Sequence, residues 1–454
     1  MKKFVASALI SGGAMAACLS YTPRAEACGG CFVSQSENTQ VTGHRMALSV
    51  SMDQTTLYDQ ITYTGDPESF AWILPIRGQV DVGLSSDALF ATLESMTQVT
   101  INSPVINCNT GNSCGNASDG GDFSAGAGGG SAGEPPVEVI AQEVVGPYET
   151  VQLASDDPDA LVAWLTERGY NIPADIEPVI DSYVSEGFAF LAMRLVPGQG
   201  IDSMRPVRIT TPGAGAGLPL RMVAAGTGAN TAVTLWVLGE GRYEPQNFPS
   251  FVIEQSELVW DWDAAKSNYT DLRAQRFQQS NGTAWQTEAA EPLYDTWAFS
   301  SLVEQASWDP IGSGYGDETG MGAVEAAQED VETLLYGLDA GNIWVTRVSS
   351  ELSRAALAND LVLAASSDQT TVNRWLDVQA TVGTPPECPP PPPPCDDFGI
   401  GDGDFGGDGS DILGGQASCA VRSLREDAPL GFALLGLGLA GLASRRRGAR
   451  RSDG

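Results

Sequence analysis

The chain reads as an α+β protein, with an antiparallel, strand-rich N-terminal part carrying two inserted helices, followed by a helix-rich half. Three observations predict this class. Short apolar and β-branched runs bounded by turn residues recur between residues 40 and 260. Two helical patterns, the first of them capped, interrupt them between Ser155 and Tyr183. Beyond Ala264 the apolar spacing shifts toward the helical period.

Met46–Met52 and Leu57–Tyr63 mix β-branched and apolar residues as half-buried strands do, and Ser69–Pro75 is a buried-looking run ended by proline. Asp87–Ser95 has helical spacing. Residues 108–136 are rich in Gly, Ser and Asp without apolar periodicity, so an irregular insertion is expected there. Val137–Leu153 returns to strand. Ser155-Asp156-Asp157-Pro158 starts a helix with cap residues and a proline where its first turn wants them, Ala160–Leu165 continue it, and Arg168-Gly169 end it. A second helix follows Pro173 and carries Ile176, Val179, Ile180 and Tyr183. Strands are expected at Gly187–Val196, Pro206–Thr211, Leu218–Ala224, Thr231–Leu238 and Phe251–Trp260. In the second half, Val324–Leu338, Leu352–Leu363 and Val372–Trp375 all fit helices.

Both ends of the chain read as addresses. Lys2 and Lys3 precede an apolar run from Phe4 to Ala17, and Ala25-Glu26-Ala27 offers a small-x-small cleavage site that leaves Cys28 first. A rival lipoprotein box, Met15-Ala16-Ala17-Cys18, fits less well. At the other end Ala428–Ala443 would span roughly 24 Å as a helix, short of the roughly 30 Å hydrocarbon core. Behind it stand Arg445, Arg446 and Arg447, expected to stay cytoplasmic. A plain C-terminal anchor is the simpler alternative to a processed tail. The expected divisions are a signal peptide at 1–27, an α+β region at 28–263 and a helix-rich region at 264–384. A Pro-rich and acidic Gly-rich spacer at 385–418 follows, then a tail at 419–454 with a short transmembrane segment at 428–443.

The formal net charge is −33, with lysine confined to the N-terminus and Lys266. Such a field repels nucleic acid and anionic lipid, so nucleic acid is excluded as a partner class. The eight cysteines stand at 18, 28, 31, 108, 114, 388, 395 and 419. An exported chain meets an oxidising compartment, which makes Cys28, Cys31, Cys108, Cys114, Cys388 and Cys395 disulfide candidates without fixing their connectivity. Cys419 is left over.

The lone cysteine, short apolar span and terminal arginines resemble the myxobacterial-type C-terminal sorting domain. That resemblance implies processing or lipid attachment at Cys419, with the sorting machinery and the membrane as partners. A second resemblance rests on Ala27–Phe32 (ACGGCF), Trp72–Pro75 (WILP), Ala163–Tyr170 (AWLTERGY) with Ile172-Pro173, and Gly187–Arg194 (GFAFLAMR). Together these resemble an exported bacterial family known as domain of unknown function 2330, over roughly residues 28 to 370. The resemblance implies export and a shared fold and carries no catalytic residue with it.

Few constellations point to chemistry. Cys28-Gly-Gly-Cys31 has the spacing of a redox or zinc pair, but no strand precedes it and no second knuckle matches it, so a structural disulfide is favoured. His44 is the single histidine. Any Ser–His–Asp or Cys–His system depends on it, and a hydrogen-bonded surface histidine is the favoured reading. The nearest thing to a nucleophile elbow, Gly312-Ser313-Gly314, sits in a glycine-rich turn. Asp261-Trp262-Asp263 could hold a sugar between paired acids, although a solvated acidic edge fits as well. Gly406–Leu413 matches one calcium-binding nonapeptide, and a β-roll needs several. No cofactor is expected beyond weak calcium uptake there. These readings favour an exported, membrane-anchored surface protein with a binding or structural role and an open choice of extracellular ligand. An exported carboxylate-dependent hydrolase of extracellular polymer is the alternative.

Overall fold

A computed structural model describes residues 30–33, 40–64, 70–106, 138–170, 172, 174–196, 204–225, 227–308 and 321–388. The chain opens with strands β1 (Gly30–Val33), β2 (Gln40–Val50), β3 (Gln54–Thr64), β4 (Phe70–Ile76) and β5 (Asp81–Leu84), then helix α1 (Asp87–Thr97). A short β6 (Thr100–Asn102) precedes the hairpin of β7 (Glu138–Val145) and β8 (Tyr148–Ala154). Helices α2 (Pro158–Glu167) and α3 (Glu177–Ser185) lead into β9 (Ala189–Leu195), β10 (Val207–Pro212), β11 (Gly217–Leu218) and the single turn α4 (Leu220–Val223). The long β12 (Thr227–Glu240) is followed by β13 (Tyr243–Pro245), β14 (Ser250–Phe251), β15 (Val259–Asp261), β16 (Lys266–Ser267) and α5 (Tyr269–Gln279). Last come β17 (Trp285–Pro292), α6 (Thr296–Ser307), α7 (Met321–Leu335), β18 (Ile343–Ser353), β19 (Leu361–Ala365), β20 (Trp375–Asp377) and β21 (Ala380–Val382).

Two large sheets carry the architecture. One has eight strands in the order β14-β17-β18-β12-β2-β3-β10-β5, and the other has five in the order β1-β4-β9-β8-β7. Side chains alternate faces along a strand, and the burial follows that rule. Met46, Leu48 and Val50 of β2 join Leu57, Leu235 and Val237 on one face, where they meet Trp72, Leu74, Leu191 and Met193 of the second sheet. Ala47, Tyr58, Trp236 and Leu238 occupy the opposite face, under Phe90, Leu93, Phe299, Val303, Val331 and Leu334 of α1, α6 and α7. On the outer face of the five-stranded sheet, Ile73, Phe190, Ala192 and Leu153 pack against Leu161, Leu165, Ile180 and Tyr183 of α2 and α3. The stack is therefore helix, sheet, sheet, helix, and the central apolar layer lies between the two sheets.

The mixed α+β class holds, with sheets dominant. Asp157 caps α2 by accepting the Ala160 N–H, and Gly169 (φ +86°) ends it in the left-handed region that glycine adopts without strain. Four segments differ from expectation, the first being Phe251–Trp260, which is no single strand but the end of β14, a 3-10 turn at Gln255–Glu257 and the start of β15. Leu218–Ala224 is mostly the turn α4, not a strand. Leu352–Leu363 comprises the end of β18, a short 3-10 turn and β19. Val372–Trp375 forms a bridge to Ala290 and the start of β20. Short apolar runs satisfy both periods, and burial by the neighbouring sheet decides between them. The division at 263/264 also does not separate layers, because β17 and β18 pair into the same sheet as β12 and β2. All described elements belong to one unit, Met1–Pro391, and a second unit covers Pro392–Gly454.

Candidate functional site

The hairpin of β2 and β3 sets Met46 opposite Asp59. His44, two residues earlier, shares the face of Met46 and looks diagonally across to Asp59. Its Nδ1 lies 3.1 Å from both Asp59 carboxylate oxygens, so the ring donates its Nδ1–H to the acid, a tautomer assigned from that geometry. Both side chains lie in the layer between the sheets, at 1% and 0% exposure. This corrects the expected surface histidine: β2 is a central strand, and the layers on both of its faces leave no water at His44. Its Nε2 is buried and has no hydrogen-bond partner.

Beside the pair, β10 begins with Val207 opposite Asp59, so it does not extend along the remainder of β3. A cleft of about 330 Å3 opens there. Asp59, Gln60, Ile61 and Thr62 form one wall, Trp72, Tyr148 and Met193 another, and Met204 to Val207 the rim. The rim is tied down by Tyr148, whose hydroxyl donates to the Arg205 carbonyl and accepts the Arg205 N–H, both at 2.8 Å. On the helix side Arg45 donates to Gln60 at 2.9 Å, and Gln60 donates to Asp87 at the start of α1. Arg205 also donates to the Ser85 carbonyl at 3.1 Å. The cleft thus offers guanidinium, carboxylate, amide and aromatic groups in fixed positions.

An Asp–His pair is the orienting half of a nucleophile-activating triad. Such a base needs its Nε2 within hydrogen-bond range of the nucleophile or of a reacting proton. Here that nitrogen is buried and has no hydrogen-bond partner, hydroxyl or thiol included. What the pair does is bridge β2 to β3 and satisfy a buried carboxylate that would otherwise be costly.

The other sequence candidates disperse. Asp261 accepts the N–H groups of Asp263 and Ala264 at 2.9 and 3.2 Å, and Asp263 accepts the N–H of Thr384 at 3.2 Å. Because β15 ends at Asp261, the two acids build a turn and do not line up along a strand face. Trp260 and Trp262 pack edge to face at 6.1 Å, so the indole between the acids is already partnered. Cys31 lies on β1 with its backbone opposite Trp72. Cys388 is disulfide-bonded. Cys28, Cys108, Cys114, Cys395, Cys419, Ser313, Arg445, Arg446, Arg447 and the calcium-like tract at 406–413 lie outside the described residues. Among the described residues no group of three His, Cys, Asp or Glu side chains stands where it could hold a metal ion. No described helix is long and apolar enough to cross a membrane, and the segment at 428–443 lies outside them.

Asp59, Trp72, Tyr148 and Arg205 were not singled out as site residues by sequence reasoning. One signal was present: Asp59 sits at an inward parity of an apolar strand, and the single histidine sits at the matching parity of the strand before it.

No curated protein and no solved structure matches the chain. Residues 22–363, well over half of the 454, match the family model described as an uncharacterized protein conserved in bacteria (DUF2330), and the chain belongs to that family.

Proposed function

We propose that this is an exported protein of the bacterial envelope, held at the surface by its C-terminal tail, whose folded region binds a ligand and carries out no reaction of its own. The observation that carries the binding reading is the contrast between the cleft and its neighbour. The cleft beside Asp59 is open and lined by convergent polar groups, while the imidazole next to it is sealed away from any substrate. Concave sites with a few fixed polar groups are the usual seats of small ligands. For the location, support comes from Lys2, Lys3 and Ala25–Ala27 at one end and from Cys419 with Arg445–Arg447 at the other. Under this reading the cysteines outside the sorting motif form disulfides, Cys388 with Cys395 among them, and Cys419 is the residue processed or lipidated.

Fractionating cells and weighing the terminal peptides of the mature protein tests the location. The expected chain begins at Cys28 and ends near Cys419 in the envelope fraction. An intact chain from Met1 to Gly454 in the cytosol, with reduced thiols, would overturn it. The non-catalytic part is tested by incubating the purified protein with peptidoglycan, casein and starch. Product release that disappears in an Asp261→Asn/Asp263→Asn variant would replace this reading with the hydrolase.

A further inference from the structure

A second cavity is built differently. It measures about 280 Å3 and lies between β17, α5 and the segment from Asp368 to Asn373. Two of its lining side chains are more than nine-tenths buried and lack a partner at one polar atom. Gln286 is 1% exposed and donates its amide N–H to the Tyr269 hydroxyl at 2.8 Å, leaving Oε1 without a donor. Arg242 is 8% exposed. Its Nη1 donates to the Thr370 carbonyl at 3.3 Å and lies 3.5 Å from Asp368, while its Nε has no acceptor. Buried polar atoms are rarely left unpaired, and each unmade bond costs about 1–3 kcal/mol. Both residues line the one cavity, and a ligand seated there offers the partners that these atoms lack.

We infer that this cavity binds a small, neutral, hydroxyl-rich ligand the size of a single sugar ring. The lining and the volume narrow the class. Glu254, Glu288 and Asp368 outnumber Arg242 in the lining, so an anion is disfavoured. Glu288 is already engaged by Arg347 and Ser349 at 2.6 Å each, so it has little left for a cation. A hydroxyl both donates and accepts. It therefore satisfies the orphaned atom of Gln286 in either orientation of that amide, as well as the Arg242 Nε–H. Tyr269 adds an aromatic ring to the wall. The volume falls just under the roughly 300–1,000 Å3 of drug-sized sites, which restricts the occupant to one ring. The inference rests on this cavity alone and is independent of the cleft beside Asp59.

Calorimetric titration of the whole protein with N-acetylglucosamine, glucose and galactose tests it, with putrescine as the cationic control. The expected result is a saturable one-to-one heat with at least one sugar. Gln286→Met, which keeps the shape and removes the amide, should weaken binding about tenfold, and Gln286→Glu should weaken it less. Thr371→Trp, at the exposed rim, should block entry without touching a buried bond. It decides the matter if Gln286→Met loses its near-ultraviolet circular dichroism. Saturation by putrescine alone overturns the ligand class. No saturable heat with any sugar, or unchanged affinity in Thr371→Trp, overturns the site and leaves the two atoms to bound water.

Discussion

The two faces of the eight-stranded sheet handle charge in opposite ways. Toward the second sheet, His44 and Asp59 stand as an isolated pair in a layer of Leu, Val, Met and Trp side chains. Toward the helices, charges form networks: Arg347 bonds Glu288 at 2.6 Å and Glu94 at 2.8 Å, and Arg45 reaches Glu94 at 3.2 Å. Both guanidinium groups also lie over the ring of Trp236, at 5.5 and 5.3 Å. Farther along the same face Arg208 bonds the fully buried Asp330 at 3.3 Å, and Ser85 donates to that acid at 2.5 Å. Helices crossing a sheet leave channels at their margins where long side chains keep part of their length near water. Two sheets packed face to face leave fewer, and His44 and Asp59 stay 1% and 0% exposed even though Asp59 forms part of the cleft wall. An ionisable group in that layer depends on one partner alone.

The sharpest way to break this contrast is to remove one partner between the sheets. His44→Ala leaves the Asp59 carboxylate buried and unpaired and should destabilise the protein by about 3–5 kcal/mol in urea denaturation. The double variant His44→Leu/Asp59→Leu should recover most of that loss, because two apolar side chains suit the layer. A loss in the double variant equal to the sum of the losses in His44→Leu and Asp59→Leu taken singly would show that the pair is not coupled. On the helix face, Arg347→Met should cost less, about 1.5–3 kcal/mol. Ser349 still donates to Glu288, and Arg273 lies 3.8 Å from it.

Smaller effects follow from individual ionisable groups. Burial, with a contribution from the charge of Glu288, pushes the Tyr269 phenol up to about 12. Burial also pushes Tyr170 to about 12, with the charge on Arg194 opposing it. A raised acid contributes stability that is complete below the ordinary phenol value of about 10 and is lost as pH rises toward 12. Alkaline denaturation should therefore accelerate in that window, and spectrophotometric titration should find these two tyrosines ionising late. The smallest effect is acidic. Hydrogen bonds from Arg221 hold the Glu186 carboxyl below its usual range, against a smaller opposing effect of burial. The stability it adds is present above the ordinary carboxylate range and fades as pH falls through the depressed value. Glu186→Gln should flatten the acid limb only slightly, since the carboxylate is 43% exposed.

Much of this organisation is local and could be read from residues close together. The cap at Asp157, the glycine at 169, the apolar parity of Met46, Leu48 and Val50, and the helical spacing of Ile176, Ile180 and Tyr183 each depend on a few neighbours. What tertiary structure decided lies in long-range pairing. The parallel register of β12 with β2 places Trp236 beside Ala47, and β17 and β18 complete a sheet begun at residue 40. That closure buries His44, ends the reach of β10 at Asp59 to open a cleft, and brings Arg242 and Gln286 to one cavity. Strand periodicity says which side chains share a face. It is silent about what covers that face, because the covering layer comes from other elements, many of them far along the chain, and burial is a property of the assembled layers.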